Sequence, residues 1–129
     1  MSKHWSDDYM LKQYHSKSYN CGHFVKEVLR EQFNLDVAMP CDVDGIRAQS
    51  RTIEDNVSSL AYPATEIFEG AGILLENRSL YHIGIAVEIK NKFYCMHNVK
   101  SFGGVLRHTL QELTLYDLKI KGYYQWKMQ

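Results

Sequence analysis

Hydrophobic patterning along this 129-residue chain predicts an α+β fold, with N-terminal helices packed on a central antiparallel sheet. Two observations carry that expectation. Apolar residues recur at helical spacing in the first third, where Cys21, Val25, Val28, Leu29 and Phe33 form one stripe. Further on, HIGIAVEI alternates strictly, with Ile83, Ile85, Val87 and Ile89 on one face and His82, Gly84, Ala86 and Glu88 on the other. The length suits one domain with its own core, so residues 1–129 are read as a single unit.

Each element follows from local chemistry. Asp7 to Tyr14 suits a short helix or turn leading into the polar loop HSKSYN. Asn20 is a good N-cap, Asn34 a stop, and Pro40 bars any continuation of the helix between them. Ile46, Ile53, Val57 and Leu60 allow one or two further helices. After Pro63 the character changes, and AGILLEN reads as a strand. KFYCMHN pairs with HIGIAVEI across a turn at Lys90 and Asn91. GGVLRHTL is a turn and another strand. LKIKGYYQWK alternates, with Leu118, Ile120, Tyr124 and Trp126 sharing a face, and the aromatics Tyr123, Tyr124 and Trp126 read as edge-strand packing.

Composition narrows the function. Lys plus Arg and Asp plus Glu each number 15, a balance that argues against a broad nucleic-acid surface. No apolar run reaches membrane-spanning length, and the N-terminus carries no signal-peptide pattern. The expectation is a chain made in the cytoplasm, without membrane insertion, and carried to its target by other means. Three cysteines at irregular spacing do not suggest a disulfide framework, and no CxxC pair occurs.

A two-residue hairpin turn sets Gly84 opposite His97, which puts His97 on the His82 face. Unpaired N–H groups and the helix dipole at Cys21 favour a thiolate. An imidazole can take the thiol proton, and a second polar group can hold that imidazole in the right tautomer. Cys21, His82 and His97 suit these roles in order. The Cys21 N–H, with Tyr14 or Tyr19, is suited to an oxyanion. A structural cysteine is the competing reading of Cys21, because free cysteine is among the most buried residue types. A zinc site of Cys21, His82 and Cys95 is a third. His4, His15, His23 and His108 offer no identifiable partner in the sequence.

The stretch YNCGHFVKEVLREQFNLDVAMP resembles the nucleophile helix of the NlpC/P60 cysteine peptidases. HIGIAVEIKNKFYCMHNVKSFGGV is similar to their His-x-Gly-Ile strand and the following strand that ends in His. QYHSKSYNC resembles the loop before the cysteine in phage-type members. The resemblance spans about residues 9–113 and implies a papain-like fold. It implies Cys21 as nucleophile, His82 as base, His97 as orienting residue and Tyr14 as oxyanion donor, with Tyr9 as a fallback. Tyr19, His23 and Gly84 would border the substrate cleft.

The implied reaction is hydrolysis of peptidoglycan stem peptides at bonds of the D-γ-glutamyl-diaminopimelate type, with no metal or organic cofactor. The implied setting is a bacteriophage tail tip acting at the bacterial wall, with tail or baseplate proteins as partners. Asn20 stands where the family usually has Asp, and His23 stands where it has glycine. If His23 blocks the cleft, the alternative is an inert structural or assembly subunit of a tail tip with the same fold.

Overall fold

The computed structural model describes residues 3–127. Helices α1 (Cys21–Phe33) and α2 (Ile46–Leu60) precede six strands: β1 (Ala61–Ala64), β2 (Gly72–Asn77), β3 (Leu80–Ile89), β4 (Lys92–Val99), β5 (Gly104–Thr109) and β6 (Lys119–Trp126). The strands form one antiparallel sheet in the order β1-β6-β2-β3-β4-β5. The α+β expectation holds, with both helices packed on the sheet: α1 lies against β3 and β4, and α2 against β3.

Helix α1 starts at Asn20, whose side chain accepts from the Gly22 and His23 N–H groups, and stops at Asn34 in the left-handed region. It buries Phe24, Val25, Val28 and Leu29 against Ile83, Ile85, Val87 and Met96 of the sheet. The other sheet face carries a second apolar layer of Ile73, Leu75, Ala86, Cys95, Leu113 and Leu118. The alternation of HIGIAVEI therefore sorts side chains between two packed layers, so both of its faces are enclosed.

The β3–β4 turn has two residues, Lys90 and Asn91, both with positive φ (52° and 64°). That geometry matches the twist of the flanking strands. It pairs Ile89 with Lys92 and Ile85 with Met96. Gly84 then lies beside His97: a Cβ at Gly84 would stand 2.6 Å from Cys95 Sγ and 3.2 Å from His97 Cβ.

Two expectations are corrected. Leu118, Ile120, Tyr124 and Trp126 do not share a face. A register shift between Leu74 and Leu75 leaves an extra residue in β6 and reverses its alternation. Leu118 and Ile120 join the outer layer, whereas Tyr124 and Trp126 join the layer under the helices. Strand β6 lies between β1 and β2, so its aromatics are not edge packing. The edge on that side is the short β1, with Pro63 in it, where a missing N–H is tolerated.

Candidate active site

Cys21 is the first residue of α1, and the loop before it is tied down from several sides. Asn20 is buried, and its Nδ2 donates to the carbonyls of Ser16 (3.0 Å) and Cys41 (2.9 Å). Asn98 Nδ2, from the end of β4, donates to the Tyr19 carbonyl at 2.7 Å. The helix start is thereby held over the β3–β4 hairpin. The Ile83 N–H lies close enough to the Cys21 sulfur to favour its thiolate, so the thiol sits near the residue that follows His82.

Cys21 and His82 line one cavity of about 270 Å³, together with Tyr14, Gln49, Asn98 and Lys100. The Tyr14 hydroxyl donates to Gln49 Oε1 at 2.9 Å. His82 Nε2 lies 2.9 Å from His97 Nδ1, which leaves His82 Nδ1 without a hydrogen-bond partner among the described residues. No hydrogen bond joins the Cys21 thiol to His82 among those residues. The structure thus brings Cys21, His82 and Tyr14 to one cavity and sets His97 behind His82.

Burial governs the protonation of this site. It pushes the Cys21 thiol up to about 11, against the pull of the N–H groups of Ile83, Gly22 and Cys21. It pulls His82 down to about 4. His97 falls well below the ordinary histidine value through burial, reinforced by the neighbouring His82 and His108. Tyr14 is raised mainly by burial, and a charge on Cys21 adds to that. At neutral pH the resting pair is therefore a thiol and a neutral imidazole. The helix-end N–H groups do favour a thiolate, but desolvation outweighs them.

Several predicted site residues lie elsewhere. His23 folds back onto its own helix: Nδ1 accepts from the Asn20 N–H at 3.2 Å, and Nε2 faces Asp42 Oδ1 at 2.8 Å. It completes a capping box in place of the usual Glu and does not line the cavity. Tyr19 points its hydroxyl at Glu27 (2.6 Å), and Tyr9 bonds Glu31 (2.5 Å), both away from Cys21. Gly84 is packed under Cys95 and His97 and is closed to a substrate.

Cys21, His82 and Cys95 do not form a ligand cluster. Among the described residues, three metal-ligating groups converge only at His23, Cys41 and Asp42. There His23 Nδ1 already accepts a hydrogen bond, so its proton is on Nε2, facing Asp42, and no nitrogen lone pair is left for a cation. Cys41 is buried, with its Cβ close to Gly22.

Sequence reasoning missed Gln49, Asn98 and His108. Gln49 and Asn98 are distant in sequence from the motif and reach the cavity only through folding. His108 did leave a signal, because the β4–β5 register sets Cys95 opposite His108 and so places His108 on the His97 face. Comparison with protein-family models, with curated proteins and with solved structures finds no match for this chain.

Proposed function

We propose that the chain is a cysteine hydrolase that cleaves peptidoglycan stem peptides. One observation carries the proposal: Cys21, at the start of α1, shares a cavity with His82, and His82 is hydrogen-bonded to His97 at 2.9 Å. His82 Nδ1 takes the thiol proton as the sulfur attacks the amide carbon. The Cys21 N–H and the Tyr14 hydroxyl, turned from Gln49, stabilise the oxyanion. His82 then protonates the leaving amine, and a water that it activates hydrolyses the thioester. The sequence resemblance supports a D-γ-glutamyl-diaminopimelate bond as the target and a bacteriophage tail tip as the carrier.

The test is mass spectrometry of peptidoglycan fragments incubated with the purified protein and with Cys21→Ala. Cleavage that requires Cys21 is the expected result. Absence of cleavage by the folded protein would sink the proposal. Cleavage of a different amide would keep the chemistry and overturn the substrate.

A second reading is an inert structural subunit of a tail tip. It is favoured by the 3 % exposure of Cys21 and by the missing thiol–imidazole hydrogen bond. Obstruction by His23, which first suggested this reading, does not occur.

A further inference from the structure

The string of imidazoles continues past His97. His97 Nε2 lies 2.8 Å from Nδ1 of His108 on β5. His108 in turn packs against the rings of Phe102 (5.5 Å) and Tyr116 (4.8 Å). The three histidines run from the cavity wall, through the fully buried His97, to an aromatic cover of half-exposed Phe102 and Tyr116.

A neutral imidazole has one N–H donor and one acceptor nitrogen. Three neutral rings linked by two shared hydrogen bonds must therefore all point the same way. In one polarity every proton is on Nε2. His82 donates to His97, His97 donates to His108, and His82 Nδ1 is an acceptor. In the other polarity every proton is on Nδ1, and His82 presents a donor to Cys21. Only the first lets His82 take the thiol proton.

We propose that His108 is a positioning residue: through His97 it sets the tautomer of His82, and its protonation reverses the string and switches the base off. The inference rests on the cysteine reading of the site. When His108 gains a proton at Nδ1, both of its nitrogens become donors. His97 Nε2 must then accept, and the string reverses by hops along its own hydrogen bonds: the His97 Nε2 proton passes to His108 Nδ1, the His82 Nε2 proton passes to His97 Nδ1, and a proton from the cavity takes His82 Nδ1. One proton enters at His82 Nδ1, the net charge ends on His108, His82 and His97 stay neutral, and the Cys21 thiol loses its acceptor.

The groups facing His108 are His97 and Cys95 on β4, the Phe102 and Tyr116 rings, and the Glu112 carboxylate. Glu112 favours the charged ring, whereas burial opposes it more strongly. Lys92 acts in turn on Glu112.

Nitrogen NMR of the histidine rings tests this without any substrate. At pH 8, wild-type His82, His97 and His108 are expected as Nε2–H tautomers. As His108 titrates in acid, His82 and His97 should turn to Nδ1–H while remaining neutral. An Nδ1–H tautomer of His97 at pH 8, or titration of His108 that leaves the other rings unchanged, overturns the proposal.

Iodoacetamide labelling of Cys21, followed by peptide mass, gives a second measurement. His108→Gln still accepts from His97 but cannot titrate, so its labelling should lose the acid inflection set by His108. An unchanged inflection counts against the proposal. His108→Leu offers no acceptor and should label Cys21 roughly 100-fold more slowly, the low side of what a general base contributes. If His108→Leu does not fold, the wild-type tautomers decide. Correct tautomers without peptidoglycan cleavage would remove the substrate reading and leave the histidine string standing.

Discussion

Asn20 does more than its place before a helix suggests. Its Oδ1 caps two N–H groups of α1, and its Nδ2 holds the carbonyls of Ser16 and Cys41. Asn20→Ala removes both functions, and a loss of about 2 kcal/mol is expected in denaturant unfolding. Asn20→Asp keeps the cap but turns a carboxylate oxygen toward those carbonyls, so it should also destabilise, by about 1–3 kcal/mol. Full stability of Asn20→Asp would contradict this account of Asn20. Cys21 follows a different rule, because its thiol is raised to about 11 by burial. Its alkylation rate should keep rising with pH well past 9, and a plateau near pH 8 would contradict a thiol raised by burial. Asn20 and Cys21 were legible in the sequence as helix-start residues. The inward fold of His23 onto Asn20 and Asp42 was not, because an N3 histidine can cap a helix or project from it.

The β3–β4 hairpin shows how a short element can be read before it is seen. Two residues, Lys90 and Asn91, set the register, and the register sets the face of every side chain in both strands. Gly84 is the tightest point. Gly84→Ala would put a Cβ 2.6 Å from Cys95 Sγ and 3.1 Å from the Met96 carbonyl. That overpacking should cost about 1–3 kcal/mol in unfolding experiments and shift His97 from its bond to His82. Thermal unfolding unchanged by Gly84→Ala would count against the packing described. Strand β6 gives the opposite lesson. Its alternation looked continuous, but the bulge opposite Leu74 and Leu75 reverses it part-way. A bulge is set by how the partner strands pair, and no residue in LKIKGYYQWK announces it.

Helices cover one face of the sheet, and a second apolar layer covers the other, so the histidines lie inside a two-sided core. This arrangement predicts how stability depends on pH. The His82 pKa is pulled down to about 4 in the folded chain, and that of His97 lies well below the ordinary value near 6.5. Between those limits the unfolded chain binds more protons than the folded one. Their contribution is therefore intact above about pH 6.5 and is lost as pH falls toward 4. Urea unfolding at pH 8, 6.5 and 5 should show a midpoint that changes little over the first step and drops over the second. Replacing His97 by Leu would remove part of that drop, and an equal drop in His97→Leu would show that His97 does not contribute to it. Among the described residues no helix is long and apolar enough to cross a membrane.

Local and nearest-neighbour physics was readable from the chain alone. It set the α1 boundaries through Asn20 and Asn34, the two-residue hairpin turn, and the face shared by His82 and His97. These follow from side-chain periodicity, capping chemistry and turn geometry, all of which act over a few residues. Folding decided what acts over distance. It brought Tyr14, Gln49 and Asn98 to the Cys21 cavity, turned Tyr19 and His23 away from it, and extended the histidine pair to His108. It also set protonation, because burial depends on what the rest of the chain packs around a group. Cys21 is exposed to dipoles that favour a thiolate and buried in a core that favours a thiol, and only the packed molecule shows that the core prevails.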